Sequence, residues 1–296
     1  MTDLVIRPLV AGEEKLFDSL PDPALVGRAL LGETYAGGGF RPEWTWVALR
    51  DGEVVARAVW WAGPDDPAPL ALRWFDFTDA RAAVELLRAA PLRAEYSILL
   101  PYGWRQDPAV RAQAQARIDA ATAAGMRVLV ERYRYHWTPG CGLPARPGRL
   151  EFRPEPDDAV ILDVLRRIGE GSLDAHFRAA AAAHSPLAAA QEELEQLRWM
   201  PSPRDWWRMA FTPGGEPVGL VVPTHNQAHH IVGFVGVLPG QRGHGYAFDL
   251  LVEGTHLLVE AGADTIVAAT DQGNAPMAAT FTRAGYPVEW ERIDLV

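Results

Sequence analysis

Residues 237–251 read VLPGQRGHGYAFDLL and stand between two different sequence patterns. Alternating apolar residues before the stretch predict a strand, and the apolar spacing after it predicts a helix. Gly243 and Gly245 can adopt positive φ angles, so the N–H groups of the turn can point into one concavity. The helix adds its unpaired N–H groups and the positive end of its dipole. This order of elements predicts an anion site suited to a phosphate or pyrophosphate.

The glycines alone do not distinguish such a site from a tight connection between a strand and a helix. The stretch is not a P-loop, because it lacks Gly-Lys-Ser/Thr. It is not a dinucleotide fingerprint either, because the third glycine and the acidic residue after a second strand are missing. Both interpretations stay open until a second motif is considered.

The bulk composition indicates a soluble globular protein with one large domain or two medium ones. The chain has 296 residues, of which 48% are hydrophobic and 22% charged. No apolar run approaches the length of a membrane span, and the N-terminal residues lack the apolar core of a signal peptide. We therefore expect a cytoplasmic protein without a membrane partner. The net charge of −10 argues against a nucleic-acid partner, and the single Cys141 excludes an intramolecular disulfide framework.

The two halves of the sequence echo each other in the same order. Each begins with a strand ending in Arg-Pro, continues to a hairpin and closes with Ala-Gly before a last strand. The matching segments are residues 5–20 and 151–167, 44–61 and 206–222, and 120–137 and 281–296. We interpret them as two copies of one α/β unit, although any two α/β halves can share hairpins.

The boundary between the halves is predicted in residues 137–149, where prolines and glycines interrupt every periodic pattern. This gives two domains, 1–140 and 149–296. In the second, antiparallel hairpins precede strand–helix–strand units, with a strand at 230–237 and a helix at 246–261. The predicted class is α/β with a mixed sheet of the α+β kind.

The glycine stretch is joined by a second motif downstream. Residues 242–247, RGHGYA, resemble motif A of the GNAT (Gcn5-related) N-acetyltransferases, Arg/Gln-x-x-Gly-x-Gly/Ala. Residues 270–286, TDQGNAPMAATFTRAGY, resemble motif B of the same superfamily. The resemblance covers most of residues 150–296 and implies the acyl-CoA N-acyltransferase fold. The first half then looks like a degenerate GNAT unit, similar to tandem-GNAT acetyltransferases of actinobacteria such as mycothiol synthase. It lacks motif A, so we expect it not to bind the cofactor.

The resemblance implies acetyl-CoA as cosubstrate and assigns its contacts. The N–H groups of residues 242–247 would hold the pyrophosphate, the strand edge at 235–237 would pair with the pantetheine amides, and Asn274 would bond near the pantetheine arm. The predicted cofactor-binding residues are Val235, Gly236, Val237, Arg242, Gly243, His244, Gly245, Tyr246, Ala247, Asn274, Met277 and Phe281.

The catalytic acid is left unassigned. Many GNAT enzymes have a tyrosine acid at the position of Phe281. Asp271, at the end of a predicted strand, is a polar candidate for catalysis, and capping of the following turn or helix is its alternative role.

Three histidines, His225, His229 and His230, are candidate bases because an imidazole titrates near neutral pH. Strand alternation groups His230 with Val232, Phe234 and Gly236, and His229 with Ile231 and Gly233. The histidines can equally be incidental in an exposed loop. With no acidic or Cys partner nearby, no metal site is expected.

We therefore expect an acetyl-CoA-dependent N-acetyltransferase that acts by direct transfer on the amine of a small molecule. A non-catalytic acyl-CoA-binding or sensing protein is one alternative, and acetylation of a protein N-terminus or lysine is another. The expected oligomeric state is a monomer or homodimer.

Overall fold

The computed structural model describes residues 4–21, 25–27, 40–62, 66–226 and 229–296. Over these ranges the chain forms twelve strands and eight α-helices, which confirms the predicted mixed α/β class. It divides into two compact units: unit 1 comprises Met1–Glu131 and Trp290–Val296, and unit 2 comprises Arg132–Glu289. Among the described helices, none has both the length and the apolar character needed to cross a lipid bilayer.

Unit 1 is built on a mixed sheet with the strand order β1-β2-β3-β4-β5-β12. Its elements are β1 (Leu4–Pro8), α1 (Glu14–Asp18), β2 (Thr45–Arg50), β3 (Glu53–Trp61), β4 (Ala71–Phe77), α2 (Ala80–Ala89), β5 (Glu95–Pro101), α3 (Pro108–Ala123) and, from the end of the chain, β12 (Val288–Leu295). Strands β4 and β5 are parallel, and the other pairs are antiparallel. Leu86 of α2, Ala121 of α3 and Ile98 of β5 are buried in one apolar core.

Unit 2 repeats this order of elements with strands β6-β11-β10-β9-β8-β7. Its elements are β6 (Val128–Trp137, from Arg132 onward), β7 (Glu151–Pro154), α4 (Asp158–Gly169), α5 (Ala175–Ala183), α6 (Pro186–Trp199), β8 (Arg208–Phe211), β9 (Pro217–His225), β10 (His230–Val237), α7 (Tyr246–Glu260), β11 (Ile266–Asp271) and α8 (Ala275–Arg283). Strands β10 and β11 are parallel, and the other pairs are antiparallel.

Two helical layers cover the sheet of unit 2. On one side, Ile161 of α4 and Leu197 of α6 pack with Leu220 and Val222 of β9. We call this the α4/α6 face. On the other side, Leu251 and Leu258 of α7 and Phe281 of α8 pack with Val232, Ile266 and Tyr135 from three strands. This is the α7/α8 face.

The units differ from the predicted domains 1–140 and 149–296 in the assignment of two strands. Residues 132–137 of β6 pair with β11 inside unit 2, and residues 290–295 of β12 pair with β5 inside unit 1. Each half of the sequence thus gives its last strand to the other unit.

The segment at 137–149 is anchored within unit 2. Arg146 donates to Glu253 at 2.6 Å and to Glu260 at 2.9 Å, both on α7. Trp137 Nε1 donates to the Gly142 carbonyl at 3.1 Å. The segment rich in proline and glycine is therefore a connection that hydrogen bonds anchor to α7 and within itself.

Candidate functional site

The glycine turn leads into a helix that no side chain caps. Gly243 and Gly245 have φ angles of 85° and 74°, and Gly245 occupies the N-cap position of α7 without a side-chain hydrogen bond. A Cβ at Gly243 would meet no atom within 4 Å, so it is the positive φ that favours glycine there. Most helices use Ser, Thr, Asp or Asn to satisfy their first N–H groups. Here those donors are left for another acceptor.

Arg149 fixes the orientation of the turn. Its guanidinium donates to the carbonyls of His244 at 3.1 Å and Gly245 at 3.3 Å, and its Nε donates to Asp249 Oδ1 at 3.0 Å. In a trans peptide the C=O and N–H groups point in opposite directions. The N–H groups of Gly245 and Tyr246 are therefore directed away from Arg149. Sequence reasoning missed this residue, because it lies far upstream in the segment interpreted as a linker.

Arg242 holds the neighbouring wall in place. Its guanidinium donates to the Ile168 carbonyl at 2.6 Å and to the Glu170 carbonyl at 2.7 Å. These groups lie at the C-terminal end of α4, where carbonyls lack helical partners and a cation is favourable. The side chain of the motif arginine therefore fastens the end of α4 to the glycine turn.

A cavity of about 520 Å³ opens beside the turn. Its walls come from the segment after α4, the end of β10 with the glycine turn, and the start of α8. Ten of the twelve predicted cofactor-binding residues line it: Val235, Gly236, Val237, Arg242, Gly243, Gly245, Tyr246, Ala247, Asn274 and Met277.

The other two, His244 and Phe281, do not line the cavity. The His244 ring stacks on Tyr246 with centroids 5.5 Å apart. Phe281 is 2% exposed and stacks on Tyr135 at 4.3 Å, inside the apolar core of the α7/α8 face. Met277 and Thr280 of α8 face the cavity, and the next residue turns by about 100° around the helix, into the core.

Strands β10 and β11 separate beside the cavity. They pair only at His230 with Ile266 and at Ile231 with Val267, although β10 continues to Val237 and β11 to Asp271. Beyond Ile231 the facing edges have no strand partner among the described residues. This slot is the type of edge to which an extended chain can add hydrogen bonds.

A β-bulge at Gly233 accompanies the separation. The register of β10 against β9 shifts between Val232 and Phe234. A Cβ at Gly233 would lie 2.8 Å from Thr224 Cγ2, so this position also requires glycine. An extra residue of this kind bends a strand and changes which face the following side chains occupy.

The bulge makes one predicted grouping wrong. Alternation places His230 with Val232, Phe234 and Gly236 on one face. Val232 packs with α7 residues on the α7/α8 face, whereas a Cβ at Gly236 would meet Ile168 of α4 at 2.7 Å. His230 shares the face of its partner Ile266 and of Val232, because the shift comes after both.

The other two histidines occupy different surroundings. His225 ends β9, so residues 223–225 belong to a strand and not to a loop, and its ring lies 6.1 Å from that of His230. Burial lowers the pKa of His229, and the positive charge of Arg134 lowers this pKa further. His229 is therefore neutral at neutral pH.

Asp271 lies away from these histidines. It is five residues along β11 from Ile266, the partner of His230, which is about 17 Å at the usual strand rise. The carboxylate is 3% exposed, accepts the Ala175 N–H at 2.7 Å and lies 3.1 Å from Arg132 Nε. It thus contacts the start of α5, whereas Asn274 caps the following helix through Met277 N–H at 3.3 Å.

Two carboxyl groups on this side of unit 2 have raised pKa values. Burial, followed by the negative charge of Asp174, raises the pKa of Asp271. The same two causes raise the pKa of Glu193 on α6 to about 7.

Comparison with known proteins agrees with this geometry. Residues 176–286 match the model of the acetyltransferase (GNAT) family. A sequence comparison with proteins of curated function found no match.

Similar solved structures extend the likeness over the whole chain. A GCN5-related N-acetyltransferase from Sphaerobacter thermophilus has a TM-score of 0.57 at 15% identity, covering 99% of this chain and 94% of that one. A tandem GNAT protein from the clavulanic acid biosynthesis pathway has a TM-score of 0.51 at 19% identity, covering 99% and 98%. The glucosamine N-acetyltransferase region of a fungal GH3 β-N-acetylglucosaminidase has a TM-score of 0.54 at 13% identity; all of this chain aligns with 38% of that protein.

The family match includes the glycine turn, the slot between β10 and β11 and the start of α8. At these identities the structural likenesses establish the fold and no more. The expected superfamily and the expected fold are confirmed. Residues 176–286 match the acetyltransferase (GNAT) family, and the chain has the acyl-CoA N-acyltransferase fold in the tandem form of the GNAT structures that it resembles.

Proposed function

We propose that this protein transfers an acetyl group from acetyl-CoA directly to the amine of a small molecule, using one cofactor site in unit 2. The observation that carries the proposal is the uncapped N-terminus of α7, which opens onto the cavity beside the separated strands. An uncapped helix start suits a pyrophosphate, and an unpaired strand edge suits the amides of pantetheine.

The pyrophosphate accepts hydrogen bonds from the turn, including the Gly245 and Tyr246 N–H groups that Arg149 orients. The pantetheine arm pairs with the edge of β10 at Val235–Val237, and Asn274 bonds to it from the opposite wall. In this orientation the pantetheine arm runs along β10 from the glycine turn, so the thioester lies near Gly233 at the closed end of the slot.

The amine nitrogen attacks the thioester carbonyl carbon, and the electron pair of the C–S bond leaves with sulfur. A free N–H group on the slot edge of β10 stabilises the oxyanion that forms. The predicted acid–base residues remain His229, His230 and Asp271. Of these, His229 has a lowered pKa, which keeps its imidazole available as a proton acceptor.

Turnover tests this proposal. Purified protein is incubated with acetyl-CoA and glucosamine, spermidine, kanamycin or lysine, and free thiol and the mass of the product are measured. The proposal predicts thiol release that depends on one of the amines and a product heavier by one acetyl group. Saturable acetyl-CoA binding without release for any amine contradicts it.

A non-catalytic acyl-CoA-binding protein is the second candidate. Phe281, at the usual position of the tyrosine acid, lies in the core and carries no proton donor. A thiolate leaves without prior protonation more readily than an alkoxide does, so this position does not decide between the candidates. The turnover assay does.

A further inference from the structure

His136 and Glu289 form a carboxylate–imidazole pair that the assignments above leave unused. His136 Nδ1 lies 3.2 Å from Glu289 Oε1, and the two side chains are 30% and 38% exposed. A carboxylate at Nδ1 favours the tautomer that carries its proton there, which leaves a lone pair on Nε2. Nε2 of His136 is buried and has no hydrogen-bond partner within the described part of the chain.

Strand register places this imidazole at the closed end of the slot. His136 on β6 pairs with Val267 on β11, and Val267 pairs with Ile231 on β10. The Ile231–Val267 pair is the last one before β10 and β11 separate. Paired residues project to the same face of a sheet, so His136, Val267 and Ile231 share one face. The backbones of His136 and Ile231 are two strand spacings apart, or about 10 Å. Arg134, the next residue of β6 on that face, pairs with Ala269, which borders the slot.

Two charged side chains and a second histidine surround His136. Arg134 and Glu289 flank it, and His229 lies close enough to all three residues for a charge on any of them to act on its pKa. His229 has a buried Nδ1 without a hydrogen-bond partner among the described residues. Two imidazoles, each with a buried nitrogen, therefore lie in the same region, near the start of β10.

We infer that His136 is the catalytic base of acetyl transfer and that Glu289 is its positioning residue. The inference rests on the acetyltransferase function proposed above. As the amine nitrogen bonds to the acetyl carbon and the C–S bond breaks, the N–H proton of the amine passes to His136 Nε2. The imidazolium is held by Glu289 until it releases the proton to water, and CoA leaves as the thiolate.

The first test needs no acceptor. Two-bond ¹H–¹⁵N spectra of [¹⁵N]histidine-labelled protein report the tautomer of each imidazole, and the His136 signals are identified by their loss in His136→Asn. We expect His136 to carry its proton on Nδ1, to lose this preference in Glu289→Ala, and to shift when acetyl-CoA is added. A proton on Nε2, or no shift at saturating acetyl-CoA, overturns the inference.

The second test uses the amine of the four-member panel with the highest wild-type turnover. His136→Asn should lower kcat about 100-fold with the KM for acetyl-CoA within twofold, because a general base acts only in the transition state. Glu289→Ala should lower kcat at least about 10-fold, because a misoriented imidazole is a poor base. Added imidazole should restore part of the activity of His136→Gly.

The matched control is His184→Asn, at an exposed helix end, which should keep wild-type kcat. Wild-type kcat in His136→Asn overturns the inference, and so does a loss confined to His229→Asn. Calorimetry with acetyl-CoA shows that each variant is folded. If wild-type protein binds acetyl-CoA but turns over no amine, the proposed function fails and the role of His136 as base fails with it. If an amine is turned over and His136→Asn is unaffected, only this inference fails.

Discussion

The turns that follow β4 in unit 1 and β10 in unit 2 occupy the same place in the order of elements, and they differ in the residue that precedes the helix. In unit 1, Asp79 caps α2 by accepting the N–H groups of Arg81 at 3.0 Å and Ala82 at 3.1 Å. In unit 2, Gly245 precedes α7 and supplies no side-chain cap. The Asp79 carboxylate occupies the donors that a phosphate needs, and its charge repels one.

Under the proposed function, this difference explains why a repeated fold would have one cofactor site. Both units offer the N-terminus of a helix behind a strand that pairs with a parallel neighbour over only two positions. Unit 1 satisfies that N-terminus internally, whereas unit 2 keeps it open and orients it with Arg149. The Asp79 cap is a physical reason to expect no cofactor binding at this turn of unit 1.

The largest effect on acetyl-CoA binding is expected when the aspartate cap of unit 1 is introduced into unit 2. Gly245→Asp places a carboxylate at the N-terminus of α7 and a side chain at a φ of 74°. Both changes oppose a bound pyrophosphate, so the acetyl-CoA affinity should fall about 100-fold or more, or at least about 2.7 kcal/mol. Calorimetry measures it. Gly240→Ala, in the same turn but with open space around its Cβ, is the matched control and should bind normally.

Removing the arginine that orients the turn should have a smaller effect on binding. Arg149→Ala frees the His244 and Gly245 carbonyls, and we expect acetyl-CoA to bind about 10-fold more weakly. It also leaves Asp249, which is 1% exposed, without its cation, at about 1–3 kcal/mol of unfolding free energy.

Adding Asp249→Asn to this variant should restore stability, measured by urea unfolding, and leave binding weak. The matched control is Arg153→Ala, whose partner Glu151 is exposed; it should cost at most about 1 kcal/mol. Wild-type affinity in Arg149→Ala would show that the turn orients itself.

The two units also differ in how they hold a carboxyl group that is removed from solvent. In unit 1, Asp76 is paired with Arg117 at 2.6 Å and Arg57 at 3.2 Å. In unit 2, burial and Asp174 raise the pKa of Glu193 to about 7. The folded state then binds the Glu193 proton more tightly than the unfolded chain, so stability is lost as pH rises from about 4.5 to about 7.

Glu193→Gln should remove that loss. We expect it to raise the unfolding free energy by about 1–2 kcal/mol at pH 8 and to leave it unchanged at pH 4. Urea unfolding at the two pH values measures the difference. An equal effect at both pH values would mean that the folded state does not raise the pKa of Glu193.

The smallest effect is expected in unit 1. Asp79→Ala removes the cap of α2 and should cost about 1 kcal/mol of unfolding free energy. It should add no second acetyl-CoA site, because no glycine turn precedes α2. Thermal unfolding and binding stoichiometry test the two statements, with Asp119→Ala at an exposed helix position as the control. A second molecule of acetyl-CoA bound per chain would contradict this account of unit 1.

Periodic segments were predictable from the sequence. The strand at 230–237 is confirmed as His230–Val237, and the helix at 246–261 as Tyr246–Glu260, because apolar spacing reports which face of an element is buried. The residues that line the cavity were also predictable, because most of them belong to two motifs that lie close along the chain.

Features that depend on distant contacts were not predictable. The exchange of β6 and β12 leaves no local signal, because both strands have ordinary alternation and choose partners only in the folded sheet. The bulge at Gly233 breaks the alternation on which the grouping of His230 depended. Arg149 and His136 reach the site from segments outside both motifs.

The most direct test of the central claim compares backbone amides of the two units when acetyl-CoA is added. The ¹H–¹⁵N signals of Gly245 and Tyr246 report the open turn of unit 2, and those of Arg81 and Ala82 report the capped turn of unit 1. We predict that the first pair shifts as one acetyl-CoA binds per chain and that the second pair does not. Shifts at Arg81 and Ala82, or saturable binding that leaves Gly245 and Tyr246 unchanged, would contradict the account.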